Sequence, residues 1–287
     1  MHLELILLRI FDLHCDTLTE IYDKNLSFKN NETAVNSFAL QAFKESIIQY
    51  AVWFKGDEEE PFLRLYRVLK YARLQLHNCS TKKHLFSLEN GWFLKTESDV
   101  EKLFRLGVVS ATLTWNYNNA LAGGALDNGE LSELGKDIIK AFNRYNIALD
   151  LAHLNEKSFF KAAELADRVL CSHTGLKTLV NHKRNVTDEQ VLYLKNRGGI
   201  IGLSVYPEFI GKDVKSGFVN AVEHLKLLGC EDIIAFGSDF DGAKMSNEIN
   251  NISNCVQLNK FLEEKTGKLL AEKVFYCNSK TFFDKSL

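Results

Sequence analysis

Eight short β-branched or apolar runs, each followed by an amphipathic stretch, constrain this chain more than any other feature. The runs are LLRIFDLH (7–14), SIIQYAVWF (46–54), HLFSLE (84–89), VVSATLTW (108–115), IALDLAH (147–153), RVLCSH (168–173), GIIGLSVY (199–206) and DIIAFGSD (232–239). Most are hydrophobic throughout, as expected of parallel strands covered on both faces. Parallel neighbours need crossover connections, and the amphipathic stretches between the runs supply helices for them. The expected fold is α/β, a (β/α)8 TIM-type barrel forming one domain over residues 1–287. That length falls in the range of such barrels. A doubly wound open sheet is the competing arrangement.

Several intervening stretches carry helix start and stop signals. Ser98 with Glu101 fits a capping box closed by Gly107, and Thr187 with Gln190 repeats the device before Gly198 and Gly199. Residues 61–78 begin with Pro and repeat Leu and Val at helical spacing.

Composition narrows the class. The chain is 46% hydrophobic and 25% charged, enough for a large core, and its formal net charge of -2 comes without a long basic block. Neither nucleic acid nor an anionic membrane is therefore an expected partner. The six cysteines are scattered with no CxxC pair, which fits free thiols in a reducing compartment. The opening MHLELILLRIF is interrupted by Glu4 and Arg9 and reads as a short leader running into a buried first strand, not a signal peptide. No run approaches the roughly 18 apolar residues of a membrane span, and the ending KTFFDKSL lacks the tail of a lipid-anchor signal. The expected location is the cytoplasm.

Polar residues gather where the runs end. The first ends in His14 and Asp16, the third in Glu89, the fifth in His153, the sixth in His173 and the eighth in Asp239. In a barrel that edge is where different strands jointly build an active site. A lone histidine at a strand end is usually a hydrogen-bonded structural residue. Five of eight runs ending in ligand-type residues point instead to a mixed nitrogen and oxygen metal site. Such a donor set suits Zn²⁺, with Mn²⁺ or Fe²⁺ also compatible, and the lack of thiolates argues against a structural zinc cage. Six donors exceed the needs of one catalytic metal, so two divalent ions sharing a carboxylate fit the count better. Asp241 with Gly242 reads as a turn, and His2, His77, His84, His182 and His224 read as structural.

In order, FDLHCDT, SLENGW, TLTWNYNN, LDLAH, CSHTG, HKRNVTDEQ and FGSDFDG resemble the membrane (renal) dipeptidase family of zinc peptidases, family M19, over about residues 11–242, with a weaker echo at 272–283. The resemblance implies that His14 and Asp16 bind one metal, Glu89 bridges two, and His153 and His173 bind the second. It places proton handling on Asp239 and the grip on a substrate carboxylate on Arg184, whose planar guanidinium suits that task. Tyr206 is a further pocket candidate, with core packing as its alternative.

The implied reaction is hydrolysis of a small dipeptide by metal-activated water, with tolerance of a D-residue at the C-terminal position. The resemblance also admits a homodimer, although no stripe in the sequence marks an interface. Two departures stand out. Trp115 replaces a histidine that mammalian members carry, leaving oxyanion stabilisation to the metal or to Asn116. Glu89-Asn90-Gly91 replaces a glutamate-glycine-glycine, which should keep the ligand and change the turn. The alternatives are another barrel metallohydrolase acting on amides, lactones or phosphoesters, and a metal-binding homologue without activity.

Overall fold

The computed structural model describes residues 8–29, 31–77 and 82–284. Met1–Leu7 with His2, Cys79, and the last residues of KTFFDKSL lie outside the described residues. The strands are β1 (Arg9–Cys15), β2 (Glu45–Trp53), β3 (Lys82–Glu89), β4 (Val108–Thr112), β5 (Ala148–Asp150), β6 (Val169–Thr174), β7 (Ile200–Leu203) and β8 (Ile234–Phe236). Every neighbouring pair is parallel, and Asp12 of β1 opposite Phe236 of β8 closes the ring. Closure establishes the barrel and removes the open-sheet alternative.

Helices connect the strands. They are α1 (Thr17–Asp23), α2 (Pro61–Leu76), α3 (Glu97–Arg105), α4 (Glu133–Arg144), α5 (Glu156–Leu165), α6 (Asp188–Asn196), α7 (Pro207–Ile210) and α8 (Val214–Leu227). After β8 come α9 (Cys255–Thr266), α10 (Lys268–Glu272), a π-helical turn Lys273–Cys277, and α11 (Asn278–Asp284). Among the described residues, none of these helices is long and apolar enough to cross a membrane.

Local signals explain most boundaries. Pro61 sits in the first turn of α2, where its missing N–H costs nothing. Thr187 and Gln190 form the expected capping box of α6, and Gly198 follows that helix with φ of +68°. The box on α3 is displaced from its expected position. Thr96, still extended, caps Asp99, so Ser98 and Glu101 fall inside the helix, while Gly107 ends it with φ of +78°.

Two packed layers result. Ile10, Ile48, Tyr50, Val52 and Cys171 join the helix side chains in the outer core. Phe11, Leu13, Ile47, Leu170 and Ile200 form an inner cluster with Tyr276, Phe282 and Phe283 of the C-terminal segment. Phe11 and Phe283 stack with ring centroids 5.4 Å apart, so the chain's end fastens onto its first strand.

Candidate metal centre and active site

Register shifts interrupt the two strands that carry the HxD pair and the second histidine. In β1 the shift lies between Asp12 and Cys15, and in β6 between Cys171 and Thr174. Strict alternation would put Cys15 on the same side as Phe11 and Leu13. Cys15 instead packs in the outer core, so the bulge turns His14 toward the barrel mouth. The shift in β6 spans Ser172 and His173 and serves the same end.

The fifth, eighth, fourth and seventh strands stop short of their apolar runs. β5 ends at Asp150 and β8 at Phe236, so His153 and Asp239 are loop residues and not strand ends; Trp115 and Tyr206 likewise follow β4 and β7. His153 and Asp239 hold left-handed φ values of +71° and +65°, uncommon for such residues and typical of functional positions.

The structure brings all six candidate ligands together. Three overlapping buried groups lie with ligand atoms within 4.8 Å of one another: His14, Asp16 and Glu89; Glu89, His153 and His173; and His14, His173 and Asp239. Glu89 belongs to the first two, with Oε2 3.4 Å from His14 Nε2 and Oε1 2.7 Å from His153 Nε2. His14 Nε2 lies 3.3 Å from Asp16 Oδ2, yet His14 Nε2 and Asp16 Oδ1 are buried without a hydrogen bond. Orphaned buried donor atoms amid carboxylates and imidazoles are what a divalent cation satisfies, so the residues present fit a metal.

Neighbouring groups orient the ligands. His153 Nδ1 is 2.9 Å from Asn116 Oδ1, and His173 Nδ1 is 2.9 Å from Ser172 Oγ, which leaves both Nε2 atoms facing the cluster. Asp150 accepts from the Ser172 and Ala152 backbone N–H groups. Asp12 accepts from the His14 N–H, the Ser238 N–H and the Ser238 hydroxyl, which ties β1 to the loop carrying Asp239.

The electrostatics are those of a buried mixed cluster. Burial pulls the His14 imidazole down, but Glu89 and Asp16 outweigh it and hold the ring well above its ordinary value. Burial opposes ionisation of Glu89, while His14 and His153 keep it well below the usual carboxylate range. Burial, reinforced by Arg184, lowers His153 to about 4. Burial also raises Asp239 to about 7, with Asp16 and Glu89 adding to the shift against His14 and Arg184.

Arg184 is buried in the same pocket. Its Nη2 lies 2.9 Å from His173 Nε2, and it has no carboxylate partner among the described residues. The pocket has a volume of about 670 Å³, and Trp53, Trp115, Asn116, Tyr206, Phe209 and His182 all line it. His182 is therefore a pocket residue and not a purely structural one. Its Nδ1 accepts from the Arg184 N–H at 3.1 Å, and its ring packs on Phe209. The signal available in the sequence was its place in the same loop as Arg184. Trp53 and Phe209 carried no signal, because each ends or follows an ordinary apolar run.

Asn90 adopts φ of +71°, a conformation that glycine and asparagine tolerate best. Its side chain then donates to Phe54 O at 2.9 Å. Among the described residues of segment 24–45, between β1 and β2, none lines the pocket. Asp241 anchors that segment, accepting from Thr17 Oγ1 and, at 2.9 Å, from the Ala34 N–H. Cys15, Cys171, Cys230, Cys255 and Cys277 are free thiols.

Residues 72–275, well over half the chain, match the membrane dipeptidase family, peptidase family M19. The chain belongs to the membrane dipeptidase family. This M19 chain is 35% identical over 159 residues to a dipeptidase of Claviceps purpurea, a match covering 52% of this chain and 37% of that one. It is 27% identical over 197 residues to an uncharacterized protein of the pqqA 5′ region of Klebsiella pneumoniae, covering 63% of this chain and 73% of the other. The match thus spans less than two fifths of the Claviceps relative's length. Its fold is shared with a metallopeptidase of Rhodobacter sphaeroides crystallised with a phosphinate mimic of the dipeptide L-Ala-D-Ala. The TM-score is 0.82 at 19% identity, covering 98% of this chain and all of the other. Family membership places the chain among metal-dependent peptidases that cleave peptide bonds.

Proposed function

We propose that this chain hydrolyses dipeptides, including those with a C-terminal D-residue, at a pair of divalent metal ions, zinc foremost. The observation that carries the reading is Arg184, a buried guanidinium without a carboxylate partner, beside a cluster of orphaned ligand atoms. A buried cation left unpaired is costly, and a substrate carboxylate would satisfy it bidentately.

His14 and Asp16 would hold one metal, His153 and His173 the other, and Glu89 would bridge them. Bound there, the ions would polarise the scissile carbonyl and make water a nucleophile near neutral pH. Arg184 holds the substrate's terminal carboxylate and so fixes the distance from that end to the scissile bond. Asp239, buried in the cluster with His14 and His173, is placed to pass a proton to the leaving amine. Trp115 walls the site above His153, with ring centroids 6.3 Å apart. Asn116 Oδ1 accepts from His153 Nδ1 and orients that ligand. The Rhodobacter relative's L-Ala-D-Ala mimic supports testing a D-residue first.

Comparing a dipeptide with its C-terminal amide tests the reading. The protein should cleave the free acid at least tenfold more efficiently in kcat/KM, and Arg184→Ala should lose that discrimination. Equal cleavage of acid and amide, or preferential hydrolysis of esters or lactones, would overturn it.

A further inference from the structure

We propose that the pocket carries an aromatic subsite for the side chain of the substrate's N-terminal residue, built by Trp53 and Trp115, so that dipeptides beginning with an aromatic residue are preferred. The inference rests on the dipeptidase reading and adds a substrate class to it.

Barrel geometry gives the orientation. In a ring of eight strands, β2 and β6 lie diametrically opposite, four strands apart in either direction. Arg184 follows β6 and Trp53 ends β2, with the ligand cluster between them. A dipeptide with its carboxylate on Arg184 and its scissile carbonyl at the cluster must extend its N-terminal residue toward β2. Trp53 stands there directly opposite Glu89 in the sheet register.

The chemistry of that wall is aromatic. The Trp53 and Trp115 rings meet edge to face, 5.5 Å apart at 70°, and form an angled aromatic wall. A third ring packed against it can stack on one indole and meet the other edge-on, the two arrangements that aromatic pairs favour. Neither indole is fully buried, and both line the cavity. The acidic groups nearby are already engaged: Asp23 is paired bidentately with Arg64, and Glu20 with Lys24. A cavity of 670 Å³ lies within the roughly 300–1,000 Å³ of small-molecule sites and exceeds what two methyl side chains fill.

The experiment compares kcat/KM for Phe-Ala, Ala-Ala and Ala-Phe in the metal-loaded wild type, Trp53→Ala, Trp115→Ala and Trp53→Phe. The wild type should favour Phe-Ala over Ala-Ala about tenfold, equivalent to ~1.4 kcal/mol. Both alanine variants should bring that ratio close to one, and Trp53→Phe should keep most of it. The ratio of Ala-Phe to Ala-Ala should not follow these changes. A preference that survives both alanine variants, or a loss that falls on the Ala-Phe series, overturns the proposal.

Binding of phosphinate mimics of Phe-Ala and Ala-Ala, followed by calorimetry, separates the two readings. No turnover of any dipeptide sinks the dipeptidase reading. Tighter binding of the phenylalanyl mimic that Trp53→Ala abolishes would still establish the subsite. Equal affinity for the two mimics, or no binding of either, would overturn it.

Discussion

Asn116 shows how much a single contact decides at the residue scale. Its Oδ1, 2.9 Å from His153 Nδ1, selects the tautomer that turns Nε2 toward Glu89 and His173. Removing such a partner usually weakens metal binding by about 10–100-fold. Asn116→Leu should therefore lose metal affinity by that order in a direct titration, while Asn116→Asp retains it; unchanged affinity in the leucine variant would refute the role. Asp239 yields a prediction for the metal-free protein. Its carboxyl is raised from 3.8 to about 7, so the folded state keeps a proton that the unfolded chain releases. The Asp239 contribution to stability is therefore nil below pH 3.8, turns unfavourable as pH rises through that window, and levels above 7. Three pKa units correspond to about 4 kcal/mol. Denaturant titration should show Asp239→Asn gaining on the metal-free wild type between pH 4 and pH 8, and a gain independent of pH would contradict it. The residue types of the cluster were legible in the sequence because each closes or follows an apolar run. The role of Asn116 was not, since it depends on the approach of two loops 37 positions apart in sequence.

At the scale of elements, the strand bulges and two glycines aim the ligands. A Cβ on Gly202 or Gly237 would lie 1.9 or 1.8 Å from the backbone oxygen of Ser172, the residue before His173. No side chain fits there without moving β6. Overpacking a tight core costs roughly 1–3 kcal/mol, and a clash with backbone belongs at or above the top of that range. Gly202→Ala should lower the thermal midpoint and weaken metal binding together. Loss of stability with metal affinity intact would show that β6 does not transmit the shift to His173. Apolar runs revealed where strands lie but not where they end, because Leu151 and Ala152 stay buried beyond Asp150, the last residue of β5. Bulges were illegible for a related reason: they follow from twist and closure, not from the alternation within one strand. The α3 cap was misplaced by two residues because both Thr96 and Ser98 precede an acidic residue at the right spacing.

Across the whole molecule, the barrel turns residues distant in sequence into one site. His14 lies in β1 and Asp239 in the loop after β8, brought together where the two strands meet. The C-terminal segment reinforces that seam through Phe283 and Phe11. The alternation of runs made closure legible, because eight parallel strands with helical connections have few other arrangements. Two metals at this mouth are proposed to cleave dipeptides, and metal content measured alongside activity checks that reading. Freshly purified protein should carry about two divalent ions per chain and should cleave L-Ala-D-Ala. That cleavage should be lost on chelation and restored by zinc. No stoichiometric metal and no metal-dependent cleavage, even after reconstitution, would contradict a two-metal dipeptidase.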